Sequence, residues 1–96
     1  MKGTEKQIKF AESLVEKFDK ELDGLISICP EEYKADWISR KEKLDVIFSE
    51  AYAGDVIDTL KGNNESGQKY YTRFFTVTKL NASAFARKIM QEVFSR

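Results

Sequence analysis

Histidine is absent from these 96 residues, and cysteine and proline each occur once. The missing imidazole removes the commonest general base, the commonest metal ligand and every Ser-His or Cys-His dyad. Cys29 by itself closes no internal disulfide, and with no histidine to help it a structural zinc site is out of reach. Glycine is sparse and scattered, and no phosphate-binding, dinucleotide-binding or calcium-loop pattern occurs. Catalysis by this chain alone is therefore not expected, and no cofactor is expected. No run of eighteen apolar residues appears, nor any apolar segment near the N-terminus, so neither membrane spanning nor secretion is expected. A reducing cytoplasm is the expected location.

What is present suits a globular chain. Hydrophobic residues make up 42% and charged residues 33%, too apolar for disorder. Seven Phe, four Tyr and Trp37 supply large side chains for one core, and 1–96 reads as a single helical domain. A core of this size is marginal, and oligomerisation would help to stabilise it. The net charge of zero hides an asymmetry. Residues 1–60 hold nine basic and fourteen acidic side chains, and residues 61–96 hold seven and two.

The strongest local signal lies in the first 29 residues. Ile8, Ala11, Val15, Phe18, Leu22, Leu25 and Cys29 recur at steps of three and four, one stripe of an amphipathic helix with coiled-coil spacing. Thr4 and Gln7 make a capping box ahead of it. A helix from Glu5 to Ile28 follows, with Glu16 and Lys20 in the favourable i,i+4 order and a weak spot at Gly24. Burial in a small bundle is the ordinary use of that stripe, and self-association into a homodimer is the alternative.

Pro30 ends this helix and is suited to be the first residue of the next. Glu31 and Glu32 then favour the positive end of the helix dipole. Tyr33, Trp37, Leu44, Ile47, Phe48 and Ala51 keep a helical period, interrupted by the polar residues 39–43. These are either a solvated helical turn or a short connection, and a continuous helix with room for a kink is the expectation. Ala53, Val56, Ile57 and Leu60 form a further face, with a break expected at Gly54 and a C-cap at Gly62. Residues 62–67 read as a loop.

Residues 68–79 carry opposing signals. Tyr70, Tyr71, Phe74, Phe75, Val77 and three threonines favour a strand by propensity. Lys69, Thr72, Arg73, Thr76 and Lys79 nevertheless recur as a polar helical stripe, and no partner strand is evident. Helix is the expectation and strand the alternative. Asn81 or Ser83 caps a last helix whose apolar face is Phe85, Ile89, Met90, Val93 and Phe94, with Ala82 and Ala86 at close-contact positions. The fold class is all-α, a compact bundle of four or five helices.

Candidate contact residues come from the basic third. Lys69, Arg73, Lys79, Arg87, Lys88 and Arg96 alternate with aromatic residues, the pairing that a groove for single-stranded nucleic acid uses. If 68–79 is helical, those aromatic side chains turn to the core and the same charge serves the acidic part of this chain, a second subunit or an acidic protein. Trp37 and Tyr33 belong either to the core or to an interface, where aromatic residues are enriched. The carboxylate pairs Glu12/Glu16, Asp19/Asp23 and Asp55/Asp58 share helix faces and read as solvated surface rather than cation sites.

The phrases Gly3-Thr4-Glu5-Lys6-Gln7-Ile8-Lys9-Phe10-Ala11-Glu12 and Asp36-Trp37-Ile38-Ser39-Arg40 resemble small uncharacterised proteins of prophages and integrative elements in Gram-positive bacteria. The resemblance covers about fifteen residues and carries over no functional residue. It implies an accessory protein that binds a host or element protein, or nucleic acid. The expected function is thus a non-catalytic interaction protein from a phage or mobile element with a protein partner, and nucleic-acid binding by the basic third is the alternative.

Overall fold

The computed structural model describes residues 1–61, 69–80 and 83–94, and every regular element among them is helical. The elements are α1 (Glu5–Ile28), α2 (Glu31–Glu50), α3 (Ala53–Leu60), α4 (Tyr70–Leu80) and α5 (Ala84–Ile89), and α5 runs straight into a π-helical turn, Met90–Phe94. An all-α bundle is what results. The one pairing of extended backbone among the described residues is an isolated bridge between Lys2 and Tyr52.

α1 starts at its capping box. The Gln7 N–H donates to Thr4 Oγ1 at 3.2 Å, and the Thr4 N–H donates to Gln7 Oε1 at 3.1 Å. The helix continues unbroken through Gly24, beside which no atom lies within 4 Å of a Cβ position. Ala11, Leu14, Phe18, Leu22 and Ile26 are buried, while Ile8, Val15 and Leu25 flank them half-buried. The buried face is thus broader than the three-four seam and offset from it, taking in Leu14 and Ile26. The reason is that α1 packs against α2, α3 and α4 together, so a wide apolar arc is covered rather than a narrow line.

Pro30 is the N-cap of α2, with ψ of 143°, and the helix proper begins at Glu31 rather than at the proline. α2 passes through residues 39–43 without a break. Only Leu44, Ile47 and Phe48 are buried in it. In its N-terminal half Trp37 packs half-buried against the core, while Tyr33 is 53% and Ile38 45% exposed.

The break before α3 falls at Ala51 and Tyr52, and Gly54 lies inside the first turn of the helix. The N-terminal strand of chain locks this corner. The Lys2 N–H donates to the Ala51 carbonyl at 3.0 Å, and the Ala53 N–H donates to the Lys2 carbonyl at 2.7 Å. Gly3 has φ of +145°, and a Cβ there would meet the Ala53 methyl at 3.3 Å, so only glycine fits without strain. α3 ends at Leu60 with Lys61 as C-cap. The expected loop at 62–67 with its Gly62 cap, and Asn81, Ala82 and Arg96, lie outside the described residues.

In the fourth element the helical period prevails over strand propensity, and Tyr70, Phe74 and Thr78 are buried. α5 begins at Ser83, whose Oγ accepts the Ala86 N–H at 3.0 Å. Phe18, Phe48 and Phe74 meet at the centre, with ring centroids 5.1 to 6.1 Å apart. Among the described residues no helix is long and apolar enough to cross a membrane.

Candidate functional site

The exposed half of α2 forms one wall of a groove of about 510 Å³, within the range of about 300–1,000 Å³ typical of ligand sites. Tyr33, Asp36, Trp37 and Arg40 stand at i, i+3, i+4 and i+7 and so share one face. Opposite them α4 presents Phe75, Thr78 and Lys79, and the π-helical turn presents Met90 and Phe94. The rings support one another edge to face, Trp37 on Phe75 at 6.1 Å and Phe75 on Phe94 at 5.9 Å. Phe75 also leans on buried Phe74 at 5.3 Å, which ties the groove wall to the core.

Arg40 is the polar centre of this groove. Its guanidinium carbon lies 5.8 Å from the Trp37 ring and 5.3 Å from the Phe94 ring, a cation–π contact with each. Nε donates to Asp36 Oδ2 at 3.0 Å, and Nη1 reaches the Val93 carbonyl at 3.4 Å. The latter bond serves the π-helical turn, where i→i+5 pairing departs from the ordinary carbonyl ladder. Residues 39–43 therefore interrupt the apolar stripe of α2 because two of their cations reach sideways, Arg40 to the groove and Lys41 to Asp23 on α1 at 3.0 Å.

Of the candidate contact residues, the fold brings Tyr33, Trp37 and Lys79 to this single groove. The others disperse. Arg73 lines a separate depression of about 250 Å³ with Asp55, Asp58 and Ser83. Lys69 sits over the Tyr71 ring at 5.8 Å, and Arg87 and Lys88 are exposed on α5. Tyr70 and Phe74 are buried, so the aromatic residues of α4 do not form an external stacking row with those cations. Asp36 and Arg40 are the site residues that sequence reasoning missed. Their spacing from Tyr33 and Trp37 was the signal available.

Of the described cations in the basic third, Lys61 pairs with Asp58 at 3.2 Å and the others form no ion pair among the described residues. The six ion pairs among the described residues all join partners within residues 5–61. No carboxylate neutralises Lys69, Arg73, Lys79, Arg87 or Lys88 in such a pair.

A second concentration of charge lies where α1 meets α2. Asp19 and Asp45 come close enough to share a hydrogen bond, yet Oδ1 of each is buried without a partner. Two carboxylates have no proton to donate, and a single proton on Asp19 would satisfy both. Burial, followed by the Asp45 carboxyl, pushes the Asp19 pKa up to about 7. Lys41 is held above the ordinary lysine value, chiefly by its hydrogen bond to Asp23. Among the described residues no cluster of acidic or cysteine side chains has the geometry to hold a metal ion.

No protein-family model matches this chain, and comparison with curated proteins and with solved structures gives no match.

Proposed function

We propose that this chain is a non-catalytic interaction protein that takes a protein partner in the groove between α2, α4 and the π-helical turn. The observation that carries this reading is the exposed aromatic face of α2. Tyr33 is 53% exposed and Trp37 packs half-buried against the core, and both line the groove. Aromatic side chains half-covered in a concave surface, with arginine beside them, are the residues that dominate protein interfaces. The absence of histidine and the pairing of Asp36 with Arg40 support binding rather than bond-making. The phrase that carries the mobile-element resemblance, Trp37 to Arg40, contributes both a ring and the guanidinium of the groove. An accessory role in a phage or mobile element, through a host or element protein or a second copy of the chain, accords with that.

The test is affinity capture from cells that encode the chain, with wild type and Tyr33→Asp run side by side, and light scattering of both. Tyr33 is exposed, so the substitution spares the core. Expected is a protein, or a second copy, held by wild type and lost in the variant. Retention unaffected by Tyr33→Asp overturns the groove as the binding face.

A further inference from the structure

We infer that the groove selects an acidic, apolar segment of its partner, a carboxylate beside a large aliphatic or aromatic side chain. This rests on the groove being the partner site and adds the chemistry of the occupant. Three observations point to it.

The first is the state of Arg40. A guanidinium carries five N–H donors, and among the described residues Arg40 engages protein acceptors through Nε and Nη1. Its side chain is 17% exposed. Nη2 has no acceptor among the described residues. An arginine in cation–π contact with both Trp37 and Phe94 and hydrogen-bonded to Asp36 and the Val93 carbonyl is already ordered, so a carboxylate that meets it pays little further entropic cost.

The second is the surplus of positive charge. Lys79 lines the groove and Arg87 is exposed one turn before Met90, and neither has an ion-pair partner among the described residues. Asp36, the one acid of the groove lining, is taken by Arg40. The third is the nature of the walls. Trp37, Phe75 and Phe94 meet edge to face, and Arg40 covers faces of Trp37 and Phe94. Those faces are occupied, so the rings form an apolar socket rather than platforms on which bases stack. A side chain fits such a socket, and a neighbouring carboxylate meets Arg40 and Lys79.

The full-length chain, immobilised, is panned against a random twelve-residue peptide display library. An enriched peptide free of tryptophan is then titrated while the emission of Trp37, the single tryptophan, is followed. Expected are enriched sequences with net negative charge around a large apolar residue, and a saturable shift in Trp37 emission. Lys79→Glu should weaken binding roughly tenfold, since it replaces attraction by repulsion. Lys20→Glu, the same charge change at an exposed site on α1, should leave it unaltered. The inference is overturned if nothing is enriched, if the enriched peptides are neutral or basic, or if both substitutions weaken binding equally. It is also overturned if a twenty-residue oligothymidylate shifts Trp37 emission and displaces the peptide. Peptides without charge bias that are lost with Tyr33→Asp would sink the acidic preference and leave the groove as the binding face. Peptides indifferent to Tyr33→Asp would remove both.

Discussion

Asp19 sits in surroundings that disfavour its charge. Its folded pKa of about 7 lies above the ordinary 3.8, so between those values the folded chain binds a proton that the unfolded chain releases. Stability contributed by this proton is complete below about pH 3.8 and is lost as pH rises through about 7. Lys41 faces Asp19 from α2 and favours its charge, while Asp45 from α2 and Asp23 from α1 oppose it. Asp45→Asn leaves a donor amide and no second charge. The Asp19 pKa should then fall, and the loss of thermal stability between pH 5 and 8 should be shallower than in wild type. A carboxyl-carbon NMR titration of Asp19 together with melting curves across pH checks both. An unchanged midpoint would mean that Asp45 is not the partner that holds the proton.

At the scale of elements, α4 shows how a segment of strand-forming residues becomes helical. Its polar residues Lys69, Thr72, Arg73, Thr76 and Lys79 mix odd and even positions, which a strand would split between its two faces, whereas a helix gathers them and turns Tyr70, Phe74 and Thr78 inward. Thr76 and Thr78, poor helix residues when free, turn their hydroxyls back to the Thr72 and Phe74 carbonyls. Its N-terminus is held from outside, since the Tyr71 N–H donates to Glu21 Oε1 of α1 at 3.2 Å. This carboxylate does for α4 what an N-cap side chain does within a helix, and it favours the positive end of the dipole. Glu21→Ala should destabilise the chain by about 1 kcal/mol and speed amide exchange over the first turn of α4. Glu21→Gln, which keeps the acceptor, should restore most of the protection. Hydrogen exchange read residue by residue distinguishes them, and equal exchange in all three proteins would remove Glu21 as the cap.

For the whole molecule, six of the seven phenylalanines join one network of ring contacts from the centre to the groove. Phe74 is its hub, fully buried and in contact with Phe18, Phe48, Phe75 and Phe94. Removing that ring should cost about 3–5 kcal/mol. Total stabilities of roughly 5–15 kcal/mol are usual for a domain, so Phe74→Ala is expected to lose much of its folded population. Urea unfolding measures this, and a loss below about 1 kcal/mol would show that the centre lies elsewhere. The Cα radius of gyration is 13.0 Å, the value expected for a compact chain of about 100 residues. The acidic and basic parts of the chain thus lie within one small globule, yet no ion pair among the described residues joins Lys69, Arg73, Lys79, Arg87 or Lys88 to a carboxylate.

Helix ends and types were legible in the residues themselves. The capping box at Thr4, the stop at Pro30, the Ser83 cap and the polar stripe of α4 are interactions among residues within four of one another, and chain geometry settles such contacts wherever the helix finally packs. Two placements in the sequence reading needed the packed structure to correct them. The seam of α1 widened to include Leu14 and Ile26 because three helices cover it, and the break before α3 moved to Ala51 and Tyr52 because Lys2 pairs there. The groove belongs wholly to tertiary structure. Arg40 lies 53 residues from Val93, whose carbonyl it serves, and Asp19 meets Asp45 only because α2 folds back along α1. Which surplus side chains of α2 would be buried, exposed or turned to a groove depended on where α4 and the π-helical turn came to rest, and no local pattern encodes that.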